Sequence, residues 1–272
     1  MSNMNGAFAK VARAKVHLGE LESSVNAYQE LDPHDFTRAV VDHPTNPSLA
    51  IVEVRVAITH PQPDDWGLIV GDILTNLRAA LDHSLFGHAT ERADAAGTPL
   101  SASDQKKLQY PMVHDAPQWP SKAAALASVL DPAVLAAVEA TQPFKSPKPD
   151  WHSLAILNRL VNLDKHRTVR VVSYVNEQFK VKPGTEATIV SIDDSPKELR
   201  DGGVVASAVV RRPLRRPGQP PTDVAIPFNI ELGYAANIDV PKVGKQKGVV
   251  MVMGLLVDHV EQTLQNLQAA GC

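Results

Sequence analysis

The spacing of apolar residues predicts that long helices form most of the first half of the chain. Apolar positions recur every three, four or seven residues over 11–31 and again over 66–92, which places them on one face of a helix. Helices are also predicted over 151–165, with Asp150 as the cap, and over 248–270. Shorter predicted elements lie between these helices: a polar loop over 95–109, and two alanine-rich helices over 121–130 and 132–141, the second capped by Asp131.

Strands are predicted where apolar and polar residues alternate. The clearest alternation runs over 51–60, where Val52, Val54 and Val56 share one face. This segment is expected to form a hairpin with 36–42 across a proline-rich turn. Four later segments, separated by turn sequences, are also predicted as strands: 169–175, 186–192, 204–210 and 224–230.

The order of these elements predicts an α+β fold. We expect a helical bundle portion, an antiparallel sheet and a C-terminal helix packed on the core. The predicted division is a mainly helical part over 1–168, which includes the hairpin and the polar clusters, and a part with strands and the last helix over 169–272. One continuous domain is the alternative. The order lacks the β-α-β alternation and the glycine-rich phosphate loops of nucleotide-binding folds, so such a fold is not expected.

Composition and charge narrow the class of protein. With 44% hydrophobic and 21% charged residues, the chain is neither disordered nor fibrous. The net charge of −3 provides no overall basic field, so any contact with nucleic acid has to be local. Cys272 is the one cysteine, which excludes a disulfide within the chain. The longest apolar run, 248–257, is about half of the roughly 20 residues that a membrane span needs, so we expect a cytoplasmic protein without membrane contact.

A first polar cluster lies within the helix predicted over 66–92. At about 100° per residue, Asp72, Asn76 and His83 fall within about 40° of one another. Arg78 and Asp82 are one turn apart on the other border of the apolar face and are expected to form an ion pair. These residues are either the edges of an amphipathic helix or are bonded to other groups. The second interpretation is supported by the poor helix propensity of Asn and Asp, because such residues are costly inside a helix unless their side chains bond to something.

A second polar cluster lies at the predicted end of the helix over 151–165. Asn162, Lys165 and His166 share a face, and Asp164 and Arg167 stand beside them in the sequence. One interpretation is structural: the helix dipole stabilises cations at the C-terminal end of a helix. The other is a site, because His exchanges protons near neutral pH while Lys and Arg neutralise anions.

Two strings of residues resemble the signatures of a family of uncharacterised bacterial and phage proteins. The resemblance covers about residues 10 to 175 and implies that the two clusters pack side by side, but it implies no activity. The strings are Gly71-Asp72-x-Leu74-x-Asn76-Leu77-Arg78-x-Ala80-Leu81-Asp82-His83 and Asn162-x-Asp164-Lys165-His166-Arg167.

A looser resemblance is to the HEPN ribonucleases, whose helical domains carry an Arg followed, four to six residues later, by a His. Arg78 and His83 match with four residues between them. The resemblance implies metal-independent attack on an RNA phosphodiester, with Arg on the phosphate and His at the 2′-hydroxyl or the leaving oxygen. Ala79 departs from the polar residue usual after the Arg. Because the two side chains point about 140° apart on a helix, a dimer or a neighbouring helix has to complete the site.

Three functions remain open at this point. The first is a site for a phosphate-bearing ligand, with RNA or a nucleotide as the candidate partner, in which the two clusters converge within about 10 Å. The second is a non-catalytic binding or scaffold protein, whose clusters form a structural hydrogen-bond network. The third is a metal-dependent hydrolase that uses Asp72, His83, Asp164 and His166.

The first function requires no metal or cofactor, and a homodimer is a candidate assembly. Its candidate residues divide into two roles. The catalytic candidates are His83, Arg78, His166 and Lys165, and the ligand-binding or orienting candidates are Asp72, Asn76, Asp82, Asn162, Asp164 and Arg167.

Outside the clusters, two features are interpreted as structural. Trp66 and Trp151 each begin a predicted cluster helix and are expected to be core anchors. The basic run over 211–216 is interpreted as a solvated loop, although it could contact phosphates.

Overall fold

The computed structural model describes residues 4–166, 169–175, 180–183, 188–193, 195, 197–212, 228–231, 234–243 and 247–272. The helices are α1 (Met4–Glu30), α2 (Trp66–Ala95), α3 (Ala102–Lys107), α4 (Trp119–Leu126), α5 (Pro132–Ala140), α6 (Ser153–Asp164) and α7 (Val249–Ala269). The strands are β1 (His34–Asp42), β2 (Leu49–Ile58), β3 (Val171–Val175), β4 (Lys180–Pro183), β5 (Thr188–Asp193), β6 (Val204–Arg211), β7 (Phe228–Glu231), β8 (Tyr234–Ile238) and β9 (Lys247–Gly248). These elements confirm the α+β class, the antiparallel sheet and the packing of the C-terminal helix on the core.

Contacts within the chain divide it into two compact units. Unit 1 consists of Met1–Ser24, Asp64–Val171 and Ile238–Cys272, and unit 2 consists of Val25–Pro63 and Val172–Asn237. This grouping differs from the sequence-based division at residue 168. The hairpin is grouped with the later strands because they pair in one sheet, and the last helix is grouped with the other helices because it packs on them.

The main sheet of unit 2 has four antiparallel strands in the order β1-β2-β6-β5. The predicted hairpin is confirmed as β1 and β2, with Val52 opposite Val40. Alternate residues of β2 are buried because successive side chains point to opposite faces of a strand; Val52, Val54 and Val56 are at most 3% exposed. Against them lie Ala206 and Ala208 of β6.

A tight turn before β6 ties that strand to β2. The Gly203 N–H donates to the Arg200 carbonyl at 2.8 Å, and a Cβ atom at Gly203 would lie 2.8 Å from the same oxygen. Gly202 takes a φ of +71°, a conformation that favours glycine. The Asp201 carboxylate accepts a hydrogen bond of 2.9 Å from the Ile58 N–H. The turn therefore requires its two glycines for steric reasons.

The core of unit 1 is arranged around α2. Trp66, Ile73, Leu77, Leu81 and Leu85 are fully buried along this helix. Helices α6 and α7 pack against α2 and against each other. The apolar face predicted for the last helix is confirmed, since its residues at helical spacing are buried: Leu256, Val260, Leu264 and Leu267.

Several element boundaries differ from the prediction. Helix α1 begins at Met4 because Met4 and Ala7 extend the buried face toward the N-terminus. The loop predicted over 95–109 contains α3, whose first turn is capped by the Ser101 side chain. Strands β4, β8 and β9 were not predicted, and of the segment predicted over 224–230 only 228–230 lies in the described residues, within β7.

One predicted cap is wrong, and a second is confirmed in its position only. Helix α6 begins at Ser153, and the Leu154 N–H is bonded by the His152 ring instead of by Asp150. Asp131 precedes α5 but makes no side-chain cap bond. In each case the carboxylate is engaged by an arginine elsewhere, Arg159 for Asp150 and Arg92 for Asp131.

Within the described ranges, no helix combines the length and the apolar character needed to cross a lipid bilayer.

Candidate functional site

Helix α2, which carries the first cluster, packs along α1. Near the start of α2, the buried Trp66 indole N–H donates to Ser24 Oγ at 2.8 Å. Further along, a Cβ atom at Gly6 would lie 3.7 Å from His83 Nδ1. Because the order of these contacts along the chain is reversed between the helices, α1 and α2 run antiparallel. His83 is exposed and lies beside the first turns of α1.

Arg78 and Asp82 form the ion pair expected from their spacing. Arg78 Nε and one of its terminal nitrogens lie 3.1 and 3.0 Å from the two oxygens of the Asp82 carboxylate, so the contact is bidentate. The same carboxylate accepts a hydrogen bond of 2.7 Å from the Tyr110 backbone N–H. The two side chains are only 21% and 29% exposed. Asp82 therefore fixes both the direction of Arg78 and the position of the segment at Tyr110.

The segment at Tyr110 is held from its other side as well. The Tyr110 hydroxyl and Thr141 Oγ1 are 2.5 Å apart, and burial raises the pKa of the phenol, which keeps it neutral. The buried Gln142 side chain accepts from the Val113 N–H and donates to the Val138 carbonyl, both at 2.9 Å. Both polar ends of the Gln142 amide are therefore satisfied within the core.

The last turns of α2 carry a further polar contact. Asp131 lies 3.0 Å from Arg92 Nε, and its backbone N–H donates to His88 Nε2 at 3.3 Å. Arg92 also donates to the Ser128 carbonyl at 3.1 Å. These bonds attach the connection between α4 and α5 to α2.

Asn76 is bonded within its own helix. Its Nδ2 donates to the Asp72 backbone carbonyl, one turn earlier, at 2.8 Å. The Asp72 side chain is exposed. This amide is therefore accounted for without a partner from another element.

The two clusters meet at Gly71 and Asp164. A Cβ atom at Gly71 would lie 3.0 Å from both carboxylate oxygens of Asp164, closer than a methyl group normally approaches. Gly71 is buried, and the absence of a side chain is what lets the end of α6 approach α2 here. The expectation that the two strings lie side by side is confirmed at this point.

His83 lies at a different level of the molecule. At a rise of 1.5 Å per residue, it is about 18 Å along α2 from Gly71. The structure thus brings Asp164 to the beginning of the first string and leaves His83 beside α1. Asp72, Asn76 and His83 share a face of the helix but are spread over several turns.

The residues of the second cluster lie around the end of α6. Asn162, Lys165 and His166 are exposed, and Asp164 is half-buried. The His166 backbone N–H donates to the Leu163 carbonyl at 3.1 Å, which closes a last turn after α6. Arg167 lies outside the described residues. The roles assigned to these residues from the sequence stay predictions.

The donor set proposed for a metal does not assemble in the part of the chain that the structure describes. No group of three or more His, Cys, Asp or Glu side chains there is arranged to hold a metal ion. The physical reason is distance. Asp164, at the end of α6, lies beside Gly71, whereas His83 is about 18 Å farther along α2.

A polar network that the sequence did not indicate lies at the start of α6. His114 Nε2 and Arg159 both contact the same oxygen of Asp150, and His114 Nδ1 lies 3.0 Å from Asp115. Partial burial opposes ionisation of Asp150, but bonds and charges from Arg159 and His114 outweigh it and lower the Asp150 pKa. A second Arg159 nitrogen donates to the carbonyls of Asp150 and Pro241 at 3.0 and 3.3 Å.

The interpretation of Trp66 as a core anchor is confirmed, and that of Trp151 is wrong. Trp151 is 48% exposed, because the helix begins two residues after it. It lies in a 3-10 turn, Pro149–Trp151, with Lys247 Nζ 5.8 Å from its ring centre. The cation stands within range of the π face.

Two histidine rings join α6 to α7. The His152 and His259 rings meet edge to face with centres 4.9 Å apart. Burial, followed by the neighbouring His259, lowers the pKa of His152 to about 4, and burial lowers that of His259. Both rings are therefore neutral at pH 7. The sequence offered no signal for this pair, since the residues are far apart in the chain.

Comparison with protein-family models and with curated proteins gave no match to this chain.

Proposed function

We propose that the protein is a non-catalytic binding or scaffold protein, in which the polar residues of α2 hold unit 1 together. One observation carries the proposal: the Asp82 carboxylate is shared between Arg78 and the Tyr110 backbone. The bidentate contact occupies the Nε edge of the Arg78 guanidinium, so that edge is not available to a phosphate. The contacts of Trp66 with Ser24 and of Arg92 with Asp131 support the same structural role.

A matched pair of adjacent substitutions tests the proposal. Asp82→Ala is expected to lower the free energy of unfolding by about 1–3 kcal/mol, because it leaves the Tyr110 N–H and the Arg78 guanidinium without their acceptor. His83→Ala is expected to change it by less than about 0.5 kcal/mol, since His83 is exposed. Urea titration of both variants, followed by circular dichroism, measures the difference.

An activity measurement on the same proteins completes the test. Each variant and the wild type are incubated with a labelled single-stranded RNA in the presence of EDTA. No cleavage by any of them is the expected result. Cleavage by the wild type that disappears in His83→Ala at unchanged stability would sink the proposal and favour the metal-independent ribonuclease.

The second candidate is a site for a phosphate-bearing ligand at the end of α6. The observation in its favour is that Lys165 and His166 are exposed, while the neighbouring Asp164 is seated on Gly71. A seated Asp164 would hold the side chains of Lys165 and His166 in a defined place, and Arg167 adds a further cation from the sequence. RNA or a nucleotide would be the ligand, and a homodimer would be the assembly that completes the site.

A further inference from the structure

Trp151 is about half exposed to solvent in unit 1. It lies outside α6, in the turn Pro149–Trp151, and is 48% exposed, whereas Trp66 and Trp119 are at most 7% exposed. An indole ring buries a large apolar area when it stacks on a planar partner. The exposed ring is therefore a surface on which such a partner can gain binding energy.

One lysine stands over this ring, and two more lie on backbone segments bonded to the segment of Trp151. Lys247 Nζ stands 5.8 Å from the ring centre. Lys148 is exposed and precedes Trp151 by three residues, and its carbonyl accepts the Trp151 N–H at 3.0 Å. Lys242 is exposed and takes a φ of +67° next to Pro241.

Arg159 bonds the two backbone segments that carry Lys148 and Lys242. One of its nitrogens donates to the carbonyls of both Asp150 and Pro241, so the residues that follow them, Trp151 and Lys242, are held near each other. The carboxylate of Asp150 is occupied by Arg159 and His114. Its charge is thereby compensated, and it opposes an incoming anion little.

The charge of this region has the opposite sign from that of the whole chain. Residues 142–170 contain six Lys or Arg and two Asp residues, although the chain has a net charge of −3. None of Lys148, Lys242 and Lys247 forms an ion pair with a carboxylate in the described part of the chain. The lysines therefore keep their charges available.

We infer that Trp151 and these three lysines bind a single-stranded nucleic acid, with a base stacked on the indole and the phosphates on the lysines. An open aromatic ring flanked by cations is the combination that single-stranded nucleic acids require, because each nucleotide carries a π face and a negative charge. A double helix does not fit, since its bases are already stacked. This inference goes beyond the proposed function, as it concerns a different surface and does not depend on Asp82.

Fluorescence anisotropy of a labelled ten-nucleotide oligo(A) RNA with the full chain at low salt tests the inference. Trp151→Ala is expected to weaken binding roughly 5- to 150-fold, the range for one base stacked on an aromatic side chain, and Trp151→Phe is expected to retain most of it. Phe86→Ala is the matched control, because Phe86 is 44% exposed on α2 and has no lysine over its ring in the described structure. It is expected to leave the affinity unchanged.

The lysines are tested through the salt dependence of the same binding. Replacing Lys148, Lys242 and Lys247 by Gln is expected to reduce the slope of log affinity against log salt by about 2, at roughly 0.7 per phosphate contact. Lys122→Gln, an exposed lysine on α4, is the control and is expected to leave the slope unchanged.

Competition experiments show which parts of the nucleic acid the protein recognises. Unlabelled RNA and DNA of the same sequence that compete equally support recognition through base and phosphate alone, and a preference for RNA adds contacts to the 2′-hydroxyl. Absence of binding, equal binding by wild type and Trp151→Ala, or full competition by inorganic phosphate alone overturns the inference. None of these results bears on Asp82, so failure here is distinguishable from failure of the proposed structural role.

Discussion

Gly71 illustrates how a single residue without a side chain sets the distance between two helices. A glycine inside a helix costs about 1 kcal/mol relative to alanine, because its backbone loses more freedom on folding. At Gly71 the missing side chain allows α6 to approach α2 closely, since the Asp164 carboxylate lies 3.0 Å from the position that a Cβ atom would take. The glycine in the first string and the aspartate in the second are therefore a matched pair of residues.

A double-mutant cycle on this pair gives the first prediction. In the Asp164→Ala background, Gly71→Ala is expected to stabilise the protein by about 0.5–1 kcal/mol through helix propensity alone. In the wild-type background the same change is expected to gain less or to destabilise, because the new methyl group meets the carboxylate. Chemical denaturation of the four proteins yields the coupling energy. A coupling of zero would show that Asp164 moves aside without cost.

At the scale of elements, the start of α6 depends on an uncharged histidine. The His152 ring accepts the Leu154 N–H at 3.2 Å through Nδ1, which requires that nitrogen to be unprotonated. Protonation would remove the cap and would place a charge next to His259. The junction of α6 and α7 is therefore sensitive to acid.

The expected pH dependence follows from the direction of the two pKa shifts. The folded His152 has a pKa of about 4, below its ordinary value of 6.5, so between these values the unfolded chain binds more protons than the folded chain. Stability is expected to be full above about pH 6.5 and to fall as the pH decreases toward 4. Asp193, with a pKa of about 2, loses its contribution only at lower pH.

Two variants isolate this contribution. Asn is a good helix cap that does not titrate, so His152→Asn is expected to make the fall of the melting temperature between pH 6.5 and 4 shallower. The lowered pKa values of His259 and His34 retain part of that fall. His60→Asn removes an exposed histidine and is expected to leave the profile as in the wild type. If the His152→Asn profile is as steep as that of the wild type, the pair does not govern the acid response.

At the scale of the whole molecule, each unit is assembled from separate stretches of chain. Unit 1 draws on three stretches and unit 2 on two. Helix α7 supplies buried apolar residues to unit 1 from the far end of the sequence, including Met253, Leu256 and Leu264. Burial of each such side chain contributes about 1.5–3 kcal/mol, so the core of unit 1 depends on residues beyond 168.

Truncation tests this interdependence. A fragment of residues 1–168 is expected not to fold cooperatively, because it exposes the surfaces of α2 and α6 that pack on α7. Circular dichroism and limited proteolysis of the fragment, compared with the full chain, provide the measurement. A sharp thermal transition in the fragment would support the division at residue 168 instead.

The candidate site was predictable from the sequence only where its contacts are local. The Arg78–Asp82 pair follows from helix geometry, and the juxtaposition of the two strings was implied by a resemblance rather than by spacing. The second partner of Asp82, the Tyr110 N–H, comes from a loop whose path no periodicity describes. The network of His114, Asp150 and Arg159 was missed for the same reason.

The sequence by itself determined the helices other than α3, the hairpin and the α+β class. The reason is that apolar periodicity indicates which face of an element avoids water, and that is a local property. Only the tertiary structure decided that Trp151 stays open to solvent, that His83 lies far along α2 from Asp164, and that the last helix completes the first unit. Each of these depends on which distant surfaces bury one another. An apolar pattern predicts that a face of an element is buried, but the packing of the whole chain determines which other element buries it.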